Sequence, residues 1–355
     1  MSRQGFHARV LLFACTLLAS GGYSAAAPSL GSPVEWDRNG FDLERPEIAS
    51  FVDLEVRRDG FSRADLIALL GAARARPELT EAMDHPAEKA LAWWEYRARF
   101  VTPGRIARGV AFWQAHKAQL EAVAAQSGVA AEYLVAILGM ETNYGQVMGS
   151  YRELDTLMTF AFDYAPRGEL YRSELREFLL LARDSNFDPL ATRGSYGGAL
   201  GALQFMPSSY RRYAVHRSNA ARIDLWANWD DIFASLANFL VEHRWQRDAP
   251  VVVDAHLAPN AQPVASGHLA LNDTVSGLEA RGVRIDQKVP GDTRAVLVAA
   301  GLQETVQYRV GFQNLHVIAR YNPSINYALA TCDLAERLRN AVAMGVVGDS
   351  GTSRR

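Results

Sequence analysis

The chain has 355 residues, with 37 Lys and Arg against 39 Asp and Glu, and a formal charge of −2. Charges of both signs are interspersed and no basic stripe alternates with aromatics, which excludes a nucleic-acid binder and a partner chosen by bulk charge. The length allows a large buried core and suggests two or three lobes.

Arg3, His7 and Arg9 form a basic region before the apolar run Val10 to Ala19, and Ser24-Ala25-Ala26-Ala27 follows. This pattern predicts a signal peptide over 1–27, cut near Ala26, and hence an exported protein. The run is short for a membrane span. Leu12-Phe13-Ala14-Cys15 is a poor lipoprotein box because of Phe13, so lipid anchoring is not expected. Once Cys15 leaves, Cys332 has no intramolecular disulfide partner, and stability must come from packing.

Residues 28–40 read as a linker rich in Pro, Gly and Ser. From Arg45 to Gln126 the apolar spacing is helical, and Ser62-Arg63-Ala64-Asp65 marks a helix start. Trp93-Trp94-Glu95-Tyr96-Arg97 reads as a helix-packing seam. The densest chemistry begins at Leu134. Leu134, Ile137, Leu138 and Glu141 share one helical face, spaced i, i+3, i+4, i+7. A carboxyl on a buried face is expected to ionise above its reference of about 4.3 and so to remain able to donate a proton. The spacing leaves an alternative open, a Glu near a helix end that is ion-paired or turned to solvent.

The second dense stretch runs from Gly194 to Tyr210, where glycines allow sharp turns and close approach. Pro207 suits the first turn of a helix running through Tyr213. There is no G-x-G-x-x-G, no G-K-[ST] and no H-E-x-x-H, and Arg193 stands where a G-x-S-x-G elbow needs glycine. Nucleotide binding, a Ser195 nucleophile and a catalytic zinc are therefore disfavoured, and no cofactor is expected.

After Pro250, Val251-Val252-Val253, Ala295 to Val298 and Thr305 to Val310 predict a small β lobe over 250–312. Leu315 to Arg320 reads as strand-like or buried, Tyr327 to Val346 as helix, and 347–355 as a disordered tail.

Taken together, Glu141-Thr142-Asn143-Tyr144-Gly145, the Gly198 to Tyr210 stretch and Arg320-Tyr321-Asn322-Pro323-Ser324-Ile325-Asn326-Tyr327-Ala328 resemble the lytic murein transglycosylase B family. Thr102-Pro103 and Phe178 to Asp184 add to it, and the resemblance covers about residues 40 to 340 in order. It implies a mainly α (α+β) fold. A lysozyme-like core over 128–249, joined by 313–330, would be flanked by a helical lobe over 41–127, joined by 331–346, and by the β lobe.

The implied reaction is cleavage of the β-1,4 bond between N-acetylmuramic acid and N-acetylglucosamine, leaving a 1,6-anhydro end. One glutamic acid suffices there, whereas ordinary glycosidases use two carboxylates. Glu153, Asp155 and Asp163 follow Glu141, but none has a motif context marking it as a partner. Carried over residue by residue, Glu141 is the acid/base and Ser195 orients it. Gln204 contacts the sugar, Phe205 and Met206 line the cleft, and Tyr144 stands beside the acid. Tyr321, Asn322 and Tyr327 belong to the cleft wall. Plain packing or core hydrogen bonding is the alternative for Phe205, Met206 and the tyrosines, and a helix-entry cap for Gln204. The resemblance also implies a monomer acting on peptidoglycan in the periplasm of a Gram-negative bacterium.

Two departures stand out. Relatives can carry a calcium loop after the Gln-Phe-Met-Pro helix, but here His216 and Ala220 replace carboxylates and Ala221 replaces the turn glycine. Ser218 and Asp231 are too few ligands, so no metal site is expected. Phe239 stands where a cleft tyrosine is expected. A muramidase that admits water and a non-catalytic glycan-binding scaffold are the competing readings.

Overall fold

The computed structural model describes residues 40–84, 91–185, 187–217, 222–259, 261 and 265–345. The expected leader, nearly all of the linker, Ser218 and the 347–355 tail lie outside them. The protein is mainly α with a small amount of β. Among the described residues no single helix is long and apolar enough to cross a membrane.

Helix α1 (Pro46–Asp59) begins on proline and stops at Gly60, whose φ of 70° ends the helix in the left-handed region. In α2 (Arg63–Gly71) the Ser62 hydroxyl accepts from Asp65 N, so the predicted cap is present. With α3 (Pro77–Asp84) these helices bury Ile48, Phe51, Leu66, Leu70 and Leu79 against α8 (Glu153–Phe162) and α9 (Gly168–Ser185). Every residue of α8 is buried, the mark of a helix enclosed on all sides.

A second core gathers α4 (Trp93–Phe100), α5 (Pro103–Ala115), α6 (Lys117–Ser127) and α7 (Ala131–Thr142). It continues through α10 (Pro207–Tyr213), α11 (Trp229–Glu242), α13 (Gln313–Tyr321) and α14 (Ile325–Ala343). Between α7 and α10, strands β1 (Tyr151–Arg152) and β2 (Arg193–Gly194) pair antiparallel and pin α8 beside the loop that follows β2.

Five antiparallel strands form the sheet in the order β4-β6-β7-β3-β5. They are β3 (Val252–Leu257), β4 (Asp273–Thr274), β5 (Val283–Ile285), β6 (Arg294–Gly301) and β7 (Val306–Gly311), with α12 (Val275–Ala280) beside them. The two-residue alternation divides β6. Ala295 and Leu297 join a core with Val275 and Leu278, while Val296, Val298 and Ala300 face the helices. Arg309 on β7 ties the sheet to α14 through Asp333 at 2.6 Å, and Arg97 of α4 holds the other oxygen of Asp333 at 2.5 Å.

The segment Leu315 to Arg320, expected as strand-like or buried, is helical and buried along one face. Its β-branched residues suggest a strand. However, Asn314, Val317, Ile318 and Tyr321 are all buried at i, i+3, i+4, i+7, and that face decides the outcome.

Candidate active site

Helix α7 buries every residue from Leu134 to Thr142, so the carboxyl at its C-terminal end is carried into the interior. Glu141 is 3% exposed. Its Oε1 accepts a hydrogen bond from the Tyr327 hydroxyl at 2.5 Å. Tyr327 is set by the first turn of α14, where the Ser324 hydroxyl accepts from Tyr327 N. Burial, followed by the nearby Glu141 charge, pushes the Tyr327 phenol well above its ordinary value. It therefore acts as a fixed donor, never as a competing acid.

The chain leaves α7 through Asn143, Tyr144 and Gly145, all with positive φ (51°, 64° and 80°). Asparagine and glycine tolerate this region, whereas tyrosine is strained there. This reversal of the chain turns Tyr144 away into the helix seam. Its hydroxyl donates to Arg105 O at 3.0 Å and its ring stacks on Phe112 at 5.5 Å. The ring fills space that only Gly109 and Gly139 leave open, since a Cβ at either would lie under 3 Å from it. Tyr144 thus neighbours Glu141 in sequence but packs between α5 and α7.

Thr142 fastens the helix end to the second motif. Its hydroxyl donates to Ala202 O at 3.1 Å and accepts from Gly145 N at 3.0 Å. In that motif the amide of Gln204, itself at φ 50°, donates to Gly201 O at 2.9 Å and Met148 O at 3.3 Å. It therefore ties the 201–204 turn to the loop leaving α7, while its carbonyl oxygen takes no bond among the described residues. Phe205 is fully buried among Phe239 and Tyr321, and Met206 is buried at the start of α10. The Tyr321 hydroxyl donates to Leu203 O, and the Glu141 charge adds to burial in raising its pKa. Asn322 caps the α13–α14 turn by accepting from Ser324 N at 3.1 Å. Phe239 sits in the same aromatic core, packed on Tyr213 and Tyr321.

Ser195 lies in a tight turn, 2% exposed. Its Oγ accepts from Gly197 N at 3.3 Å and Ala199 N at 3.0 Å, which leaves its own proton unused by those bonds. Gly149 permits the turn's position. At φ 92°, any Cβ there would stand 2.1 Å from Gly194 O and 2.5 Å from Ser195 N.

Of the predicted site residues, Tyr327 directly contacts Glu141. Ser195 and Gln204 lie in loops and Tyr321 ends α13, and the side chain of each bonds to backbone. Thr142 and Gly149 were not singled out from sequence, and Glu153 was weighed there only as a second carboxylate. Thr142 lies inside the Glu141 motif, but its bond to Ala202 spans 60 residues and leaves no local signal.

The three carboxylates that follow Glu141 in sequence are engaged elsewhere or enclosed. Asp155 accepts from Arg152 Nε and Arg74 N, both at 2.9 Å. Asp163 pairs with Arg45 at 2.6 Å. Glu153 is fully buried beneath the Ser195 turn, and burial, with the Glu174 charge second, raises its pKa well above the carboxylate range.

Among the described residues no group of three or more His, Cys, Asp or Glu is placed to hold a metal ion. Asp231 is fully buried, and its oxygens accept from Arg217 N at 2.8 Å and Asp224 N at 3.1 Å. A cavity of about 650 Å³ opens at the other end of α7, lined by Glu132, Tyr133, Trp245, Arg309 and Asp333. Tyr133 precedes Glu141 by eight helical residues, about 12 Å at 1.5 Å each, so this cavity is not the surroundings of the acid.

The family model described as "Transglycosylase SLT domain" matches residues 44–336. The membrane-bound lytic murein transglycosylase B of Escherichia coli (strain K12) is 36% identical over 300 residues, 82% of each chain. The catenated lytic transglycosylase SltB1 from Pseudomonas aeruginosa superposes with a TM-score of 0.80 at 38% identity, covering 83% of this chain and 98% of that one. The Escherichia coli lytic transglycosylase Slt35, solved in complex with calcium, gives a TM-score of 0.78 at 35% identity, covering 86% and 96%.

Proposed function

The chain belongs to the Transglycosylase SLT domain family, and from that premise we propose that Glu141 is the acid and then the base of its reaction. The protein is a lytic transglycosylase acting on murein. The proposed step breaks the bond from C1 of N-acetylmuramic acid to O4 of N-acetylglucosamine. Glu141 gives its proton to the departing O4 and becomes a carboxylate. The C6 hydroxyl of the same muramic residue attacks C1 and passes its proton to Glu141. The product carries a 1,6-anhydro ring, the acid is restored, and no water is consumed. An attacker already attached to the reacting sugar has a large effective molarity, so no second carboxylate is needed to position water.

The observation that carries this reading is the buried Glu141 carboxyl held by Tyr327 at 2.5 Å. The hydroxyl stabilises the carboxylate that appears as the proton leaves. The engagement of Asp155 and Asp163 and the enclosure of Glu153 support a mechanism with one acid. In this reading the Ser195 proton and the Gln204 carbonyl oxygen contact substrate or acid, and Asn322 lies on the same cleft. Asp231 supports its loop by holding two amides, and no step passes through calcium. Murein as substrate places the protein in the bacterial envelope; export to the periplasm by the 1–27 leader is part of the proposal.

Glu141→Gln tests the assignment. The amide keeps size and neutrality but cannot deliver a proton. Release of soluble fragments from sacculi should fall about 100- to 10,000-fold, the range of general acid–base contributions, while sedimentation with sacculi persists. Lysis at the wild-type rate would remove Glu141 from the mechanism.

A further inference from the structure

Glu153 opens α8 immediately after β1, and its N–H donates to Thr192 O at 3.0 Å. Its side chain is 0% exposed, and neither carboxyl oxygen has a hydrogen-bond partner among the described residues. Such a group is rare in a native interior and calls for an explanation.

The surroundings supply one. A Cβ built on Gly194 would stand 2.3 Å from Glu153 Oε2, and one on Gly198 would stand 3.2 Å from Oε1. The carboxyl is therefore packed against the two glycines that bracket Ser195. Leu157 and Met206 lie against the same glycine at 198. The titratable group facing Glu153 from α9 is Glu174, which is buried and binds Ser208 N at 2.9 Å and the Ser208 hydroxyl at 2.7 Å. Tyr171, also on α9, donates to Gly197 O at 3.1 Å and so also holds the turn. The adjacent cation, Arg152, is committed to Asp155 and to Ala72 O. Among the described residues neither Glu153 oxygen has a hydrogen-bond partner to offset a buried charge, which favours the uncharged acid.

We propose that Glu153 is a positioning residue: its uncharged carboxyl is the floor on which the Ser195–Gly198 turn rests, and charging it displaces the turn and weakens glycan binding. The mechanism that moves Ser195 is steric and electrostatic. A carboxylate here must draw in water or move, and either change disturbs its packing against Gly194 and Gly198. Burial and the Glu174 charge hold the group protonated well beyond the usual carboxylate range, so the neutral state is the working one. The inference rests on reading the Ser195 turn as part of the glycan cleft.

The test is made in the Glu141→Gln background, so titration of the catalytic acid plays no part. Sedimentation with sacculi is measured across pH 5 to 10 for that variant and for Glu141→Gln combined with Glu153→Gln. The parent should lose at least tenfold in affinity on the alkaline side. The double variant, uncharged and of equal size at position 153, should bind as tightly as the parent at pH 6 and stay flat. Glu153→Ala in the same background, which removes the floor, should bind weakly at every pH while near-ultraviolet circular dichroism reports an intact core. An alkaline loss that survives Glu153→Gln, or Glu153→Ala binding as tightly as the parent, would overturn the proposal. Because no catalysis is measured, failure of the Glu141 mechanism would leave these readings unchanged.

Discussion

Replacing Tyr327 with phenylalanine removes one oxygen from a fully buried ring and leaves the carboxyl of Glu141 in place. A hydrogen bond to a charged group contributes about 1.5–3 kcal/mol. If it is made to the carboxylate that develops as Glu141 gives up its proton, its loss slows cleavage roughly 10- to 150-fold, at 1.36 kcal/mol per decade. The sign of the pH effect is also fixed. The hydroxyl favours the charged form of Glu141, so without it the acid keeps its proton to higher pH. The alkaline limb of the rate profile should therefore move to higher pH. Fragment release from sacculi, measured from pH 5 to 10 under subsaturating substrate, reads both effects. A Tyr327→Phe enzyme with the wild-type rate and an unmoved alkaline limb would refute the assigned role of this bond.

Gly149→Ala places a methyl group 2.1 Å from Gly194 O at φ 92°, so it should cost on the order of 2–4 kcal/mol and lower Tm by several degrees. Gly60→Ala, at φ 70° with open space, is the control and should cost only about 1 kcal/mol; equal losses would refute the close-approach argument. Titration with calcium or a chelator should leave Tm within about 1 °C, because stabilisation requires a ligand bound to the native state. A rise of several degrees with calcium would show that the Asp231 loop binds it. The raised pKa of Glu153 means that the native state holds its proton longer than the unfolded chain. Stability therefore falls as pH rises above the unfolded value, by up to about 1.4 kcal/mol per unit until the folded pKa is reached. Denaturant unfolding of Glu153→Gln should lack that slope; parallel wild-type and variant curves would contradict it.

Much of the fold was legible because local rules and tertiary packing agree. Ser62 caps α2, Pro207 opens α10, and the β-branched runs near 252, 296 and 308 are strands of one sheet. Glu141 was legible for the same reason: three apolar residues on its helical face foretold its burial. Residues 315–320 misled because β-branched composition suggests a strand while burial follows a helical period. Tyr144 could not be placed from its neighbourhood with Glu141. Three left-handed residues reverse the chain after α7, and no periodicity rule extends through such a reversal. The least legible features are contacts across long separations. Tyr327 is 186 residues from Glu141, and only its place in the family's order of motifs suggested the cleft. Glu153 opens a helix, where acidic residues are common and usually solvated. Its enclosure depends on the β1–β2 pairing and on glycines some 40 residues away.

The central claim is that Glu141 serves twice within one turnover and that the attacking oxygen belongs to the substrate. Mass spectrometry of fragments released from sacculi in ¹⁸O-enriched water measures this directly. A double role for Glu141 requires muropeptides ending in 1,6-anhydro-muramic acid, without label, and their loss in Glu141→Gln. Products one water heavier, carrying ¹⁸O at a reducing end, would contradict it and make the enzyme a muramidase.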